Sequence, residues 1–254
     1  MFRAFRIAFL LVVLALVSVS TWLTRARSTD WNNPLWIRIY PIAADGSAAT
    51  LDYIASLTAA DFAGIESFMA REVAKRGITL DSPVRVELGP VVVEEPPPLP
   101  SPRGRLAVMW WSLELRWWTM RVTDDPIRPD VRVFVRYHAP QPGVPLETSV
   151  GLQKGMVGVV NAYADRRHAA TNNVVIAHEF LHTLGATDKY DAATGLPLFP
   201  SGYAEPERDP LYPQRYAEIM GGRIAISGDD ARIPASLGDA VIGADTAREI
   251  DLAP

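Results

Sequence analysis

The chain has 254 residues, 48% of them hydrophobic and 21% charged, a balance that fits one sizeable domain or two small subdomains sharing a cleft and excludes a disordered chain. Its net charge of −4 implies no broad basic surface, so no nucleic-acid partner is expected. The absence of cysteine excludes a disulfide scaffold, thiolate metal sites and a cysteine nucleophile.

Arg3 and Arg6 precede an apolar run from Ile7 to Leu23, and Arg25 and Arg27 close it. A basic start before a hydrophobic core is the layout of an export signal. The run reaches the lower edge of the roughly 17–25 residues that span a bilayer as a helix. Residues 1–28 are therefore expected to be a signal anchor that holds the remaining chain outside the cytoplasm. The alternative is a signal peptide cleaved near Ser18-Val19-Ser20, which would make the protein secreted.

Leu35 to Ile42 alternates as a strand does, and Asp45-Gly46 marks a turn. Thr58 and Asp61 form a capping-box pattern before Phe62, Ile65, Phe68, Met69 and Val73, which recur at helical spacing up to a stop at Gly77. Val84 to Val93 is strand-like, and Pro96 to Pro102 is a stiff surface loop. Arg105 to Val122 holds four tryptophans among three arginines. Leu106, Met109, Trp110, Leu113, Trp117 and Met120 fit a helix, whose apolar face is expected to be core. Aromatic residues with arginines also suit a membrane interface, and a substrate contact is the third option. Val131 to Tyr137 and Gly158 to Ala164 are predicted strands. A helix follows over Asn172 to Leu184, capped by Thr171 or an asparagine and ended by Gly185. Beyond it the chain is rich in Pro, Gly and Asp, with one short helix expected near Ala247-Arg248-Glu249.

His178 and His182 lie four residues apart on that helix, hence on one face, and can direct both imidazoles at one metal ion. Glu179 can reach a metal-bound water without being a ligand. Neutral imidazole is a good zinc donor, and a catalytic zinc takes three protein ligands and one open position. Gly185, three residues after His182, can take the left-handed conformation that turns the chain back. That turn would bring Asp188 to the metal as an oxygen ligand. The expected cofactor is one Zn2+. His138 and His168 are expected to be surface residues.

The stretch His178-Glu179-x-x-His182-x-x-Gly185-x-x-Asp188 resembles the extended zinc motif of the metzincin peptidases, in the variant with Asp as third ligand. Ile219-Met220-Gly221 is similar to their Met-turn, a methionine loop beneath the metal, and Asp188-Lys189-Tyr190-Asp191 looks like the Asp-x-Tyr-Asp of related zincins. The resemblance is specific from about Val174 to Met220 and topological over Leu35 to Ala164. It implies an α+β fold with a twisted mixed sheet, a central zinc-binding helix and an irregular C-terminal lobe. On that reading residues 29–254 are one zinc peptidase domain, with an N-terminal lobe to about residue 185 and a C-terminal lobe over 186–254. It implies a peptide or protein substrate, zinc-activated water and Glu179 as general base. No cysteine-switch pro-segment is expected.

One departure matters. Where many metzincins place a mechanistic tyrosine, two residues after the methionine, this chain has Gly222. Tyr190, Tyr203, Tyr216 and Arg223 are candidates to stabilise the oxyanion. Two other functions stay open: a peptidase with Glu205 or Glu207 as third ligand, and a zincin-like domain that has lost catalysis and binds a partner. The intact Glu179 speaks against the second.

Overall fold

The computed structural model describes residues 30–101, 104–141, 146–153 and 155–252, together with Arg6. The expected anchor over residues 1–28 lies outside them, Arg6 apart. Among the described residues no helix is long and apolar enough to cross a membrane.

The chain opens with β1 (Leu35–Ala43), α1 (Ala48–Ala55) and, after a single 3-10 turn, α2 (Ala63–Ala74). Ser47 caps α1 by accepting the Thr50 amide, a helix that hydrophobic spacing alone does not announce. The Thr58–Asp61 capping box is formed, but it starts the 3-10 turn Ala59–Phe62 that feeds α2. Next come β2 (Val84–Leu88), α3 (Arg105–Val122), β3 (Val131–His138), β4 (Val150–Leu152) and β5 (Val157–Tyr163). β2 stops short of the expected Val93 because Gly89 and Pro90 end the alternation. The central helix α4 (Ala169–Leu184) begins earlier than its sequence suggests, since Asp165 accepts the Arg167 amide and starts a 3-10 turn that runs into it. The C-terminal lobe is irregular. It holds only the two-residue strands β6 (Ala217–Glu218), β7 (Ile224–Ala225), β8 (Ala231–Arg232) and β9 (Ala240–Val241), and the short helix α5 (Ala244–Glu249).

Five strands make one mixed sheet in the order β2-β1-β3-β5-β4, so the fold is α+β. The first four are parallel, with Ile37 beside both Val86 and Val131 and Val133 beside Gly158. β4 runs antiparallel on the outer edge and sets Gly151 opposite Gly158.

Each face of the sheet has its own core. Ile37, Ile39, Val133 and Val135 join Phe68 and Met69 of α2 and Phe180 and Leu181 of α4 on one side. Tyr40, Ile42 and Phe134 join Trp111, Leu115 and Trp118 of α3 on the other. The helix expected over Arg105–Val122 is present, but its expected inward face is reversed. Leu106, Met109, Trp110, Leu113, Trp117 and Met120 are 50–76% exposed, and the buried residues are Trp111, Leu115, Trp118 and Thr119. α3 is apolar on two sides, so periodicity identifies the helix without saying which side the sheet takes.

Candidate metal centre

α4 presents His178 and His182 one turn apart, their rings 4.7 Å between centroids and nearly perpendicular. Gly185, at φ 113°, ends the helix in the left-handed region. The Ala186 amide then bonds back to the Leu181 carbonyl at 3.1 Å. This reversal brings Asp188 to the two histidines.

The three donors form a nearly equilateral triangle. His178 Nε2 and His182 Nε2 are 3.1 Å apart, and each is 3.1 Å from Asp188 Oδ1. The opposite ring nitrogens are already committed. His178 Nδ1 meets the Ile219 carbonyl at 2.9 Å and His182 Nδ1 the Ala186 carbonyl at 2.7 Å. A carbonyl can only accept, so each Nδ1 carries a proton, and in the neutral rings each Nε2 then offers a lone pair. Three lone pairs converging at this distance repel one another unless a cation or a shared proton lies among them. Tetrahedral zinc with bonds of about 2.0–2.1 Å spaces its donors roughly 3.3 Å apart, so the residues fit that ion. The same geometry acts on protons. Burial opposes a charge on His178, but Asp188 and Glu179 beside it win and raise its pKa. For Asp188, burial is overcome by the two histidines, which hold its carboxyl well below the usual range.

Glu179 lies within 4.8 Å of both imidazole donors and is 5% exposed. Burial pushes its carboxyl up, against the pull of His178 and His182. The Gly151 amide of β4 donates to this carboxyl, and Glu179 Oε2 has no hydrogen-bond partner among the described residues. A buried carboxyl with a raised pKa and one uncommitted oxygen is suited to proton transfer.

The loop after β6 braces both arms. Met220 is fully buried, in the core that also holds Phe180 and Leu181. Its neighbour Ile219 supplies the carbonyl for His178, and its own carbonyl takes the Lys189 amide at 2.9 Å. Glu218 shapes this loop from inside, accepting the amides of Met220, Gly221 and Gly243 and the Thr246 hydroxyl. Glu249 of α5 does the same for the other arm, accepting the Thr187 amide and hydroxyl and the Lys189 ammonium.

Tyr190 lies beside the site, its ring centroid 6.3 Å from that of His178, and packs near Gly222. Tyr203 shares a hydrogen bond with Tyr212, Tyr216 is 41% exposed, and the Arg223 guanidinium lies against Gly195. Glu205 is engaged by Arg215 and Arg208, and Glu207 is exposed. His138 meets Asn161, and His168 packs on Tyr163. His178, Glu179, His182 and Asp188, which sequence spacing singled out, come together in the structure, whereas spacing did not single out Gly151, Glu218 or Glu249. Glu218 directly precedes the Ile219-Met220-Gly221 stretch, the one signal that could have pointed to it.

A cavity of about 430 Å³ opens next to Asp188 and is lined by Thr187, Lys189, Leu198, Ser201 and Arg248 among others.

No protein family matches the sequence, and no curated protein matches it. Among solved structures, the fold is similar to a chain in a chaperone–substrate complex, with 14% identity and a TM-score of 0.38 over 86% of this chain and 34% of that one. It is also similar to OgpA from Akkermansia muciniphila, with 12% identity and a TM-score of 0.40 over 86% of this chain and 60% of that one. The chain thus spans about a third and three-fifths of the two. Likenesses this distant leave function to be argued from the residues themselves.

Proposed function

We propose that the chain is a zinc-dependent peptidase of metzincin type, tethered to a membrane by residues 1–28 and acting outside the cytoplasm. The observation that carries the reading is the triangle of lone pairs at His178, His182 and Asp188, with both Nδ1 protons committed to carbonyls. Zinc held by these three donors would supply a Lewis acid for the scissile carbonyl and acidify the water that attacks it. Glu179 accepts the proton of that water and returns it to the leaving amine, a task that its raised pKa suits. Tyr190 is the side chain best placed to donate to the developing oxyanion.

A peptide substrate is favoured by the sheet edge. β4 is the last strand and lies against α4 at Glu179 and His182. An extended peptide added to that edge would run across the donor triangle. The reading with Glu205 or Glu207 as third ligand has less support, because Glu205 is held by two arginines.

The test pairs metal analysis with turnover in the full-length protein and its Glu179→Gln variant. About one equivalent of zinc is expected in both, with peptide hydrolysis only in the parent. A parent without zinc, or a variant with full turnover, overturns the assignment.

A further inference from the structure

On a helical projection of α3, Leu106, Met109, Trp110, Leu113, Trp117 and Met120 fall within a stripe about 100° wide. All six are at least half exposed, from Leu113 at 50% to Leu106 at 76%. Such a stripe amounts to several hundred Å² of contiguous apolar surface, about as much as the largest patch on a soluble monomer. The stripe lies opposite the buried Trp111, Leu115 and Trp118, so the sheet cannot cover it.

Arginines line its borders. Arg105 and Arg116 flank one side, and on the other lie Arg121, paired with Glu94, and Glu114. The Arg121 guanidinium stacks over the Trp117 ring, 4.7 Å from its centroid. Tryptophan, methionine and leucine along the middle with arginines at the margins is the composition of a helix lying in a lipid–water interface.

The path of the chain points to the same occupant. β1 and β3 are parallel and start at one edge of the sheet, where the Trp36 amide meets Asp130. Asp125, three residues beyond the end of α3, bonds Arg38 of β1 at that edge. β1 therefore begins at the end of the sheet where α3 terminates, and the chain before it is held at Trp31, whose buried indole N–H donates to the Ile250 carbonyl. From Leu23, the last residue of the apolar run, to Trp31, which is packed in the domain, is 8 residues, about 26 Å at full extension. A domain on so short a tether stays within reach of the bilayer, and α3, about 27 Å long, is the apolar face it can lay down.

We propose that the outward face of α3 lies flat in the headgroup region of a lipid bilayer, with the arginines at anionic headgroups. The inference rests on the membrane tether of residues 1–28 proposed above. α4 and the donor triangle lie across the sheet from α3, so the docked domain keeps its cleft toward water.

The chain has no cysteine, so one introduced thiol takes a single fluorescent label. Full-length Trp110→Cys, Trp117→Cys and, as a control in the C-terminal lobe, Ile233→Cys are reconstituted in phosphatidylcholine vesicles. The vesicles are made with and without phosphatidylglycerol and carry a quencher on the upper acyl chain. The labels at 110 and 117 are expected to be quenched several-fold more than the label at 233, and more strongly with the anionic lipid. Equal quenching at all three sites in protein that floats with the vesicles overturns the docking and leaves the tether standing. Protein that neither floats nor is quenched defeats both. Labels shielded from aqueous iodide but untouched by the lipid quencher overturn the proposal in favour of a second copy of the chain, or its own residues 7–23, on this face.

Discussion

Gly151 is where the edge strand presses on the central helix, and an added methyl group there has a calculable effect. A Cβ on Gly151 would stand 2.3 Å from the Glu179 carbonyl oxygen and 2.6 Å from the His182 Cβ. Ordinary contact begins near 3.4 Å, so Gly151→Ala must separate β4 from α4 by about 1.1 Å, the difference between 3.4 and 2.3 Å. Both contacts are with rigid atoms, so no side-chain rotation relieves them. Overpacking of this kind costs about 1–3 kcal/mol. At 2–4 °C per kcal/mol for a domain of this size, the melting temperature should fall by roughly 2–12 °C. The same displacement pulls the Gly151 amide from the Glu179 carboxyl. A shift of about 1 Å at a catalytic group can cost around 100-fold in rate. Zinc should be retained, because the histidines are anchored to Ile219 and Ala186 and not to β4. Gly158→Ala is the control, since its Cβ would make only ordinary contact, 3.7 Å from Val133. The assay is thermal denaturation, metal content and peptide turnover of both variants. A Gly151→Ala protein as stable and active as its Gly158→Ala counterpart would refute the reasoning.

Asp188→Ala should lose most bound zinc and all hydrolysis, and Asp188→His should recover zinc because imidazole can take the third position; metal content beside turnover decides it. Glu218→Leu should lower stability by about 2–4 kcal/mol in chemical denaturation, since four buried donors lose their acceptor. The same variant should weaken zinc affinity about 10–100-fold, as the loss of an outer partner does, read by competition with a chelator. Asp45 accepts amides from Ser47 and Ala139, which outweigh its partial burial and bring its pKa down to about 2. Its stabilising contribution is therefore full above about pH 4, the unfolded value, and lost as pH falls toward 2. Asp45→Asn should flatten the acid limb of the stability curve in that window, and an unchanged limb would count against it.

The central helix and the grouping of His178, Glu179 and His182 on it were legible because they sit in one local run. Spacing of three and four residues fixes which side chains share a face, and a glycine three residues past His182 marks where the chain turns. Strands β1, β2 and β3 were legible because buried apolar residues alternate in them with arginines and other less buried positions. β4 was not, since Val150-Gly151-Leu152 is too short to alternate and owes its pairing to β5. α3 shows the limit most clearly. Both of its faces are apolar, and only the tertiary structure selects Trp111, Leu115 and Trp118 for the core. Glu249 acts on the arm at Thr187 from 62 residues away, and Glu218 ties its loop to Gly243 and Thr246, 25 and 28 residues on. No local pattern records such a contact.

The loop between β6 and β7 joins two events that could otherwise occur separately. The Ile219 carbonyl orients His178, and one residue later the Met220 carbonyl holds the amide that follows Asp188. A fluctuation that frees this loop releases the His178 ring and the segment carrying Asp188 at the same moment. If the proposed zinc is held there, its escape would be an opening of the C-terminal lobe and not a stepwise loss of donors. The exchange rate of the Lys189 amide with solvent would then be a clock for zinc residence, readable without watching the metal at all.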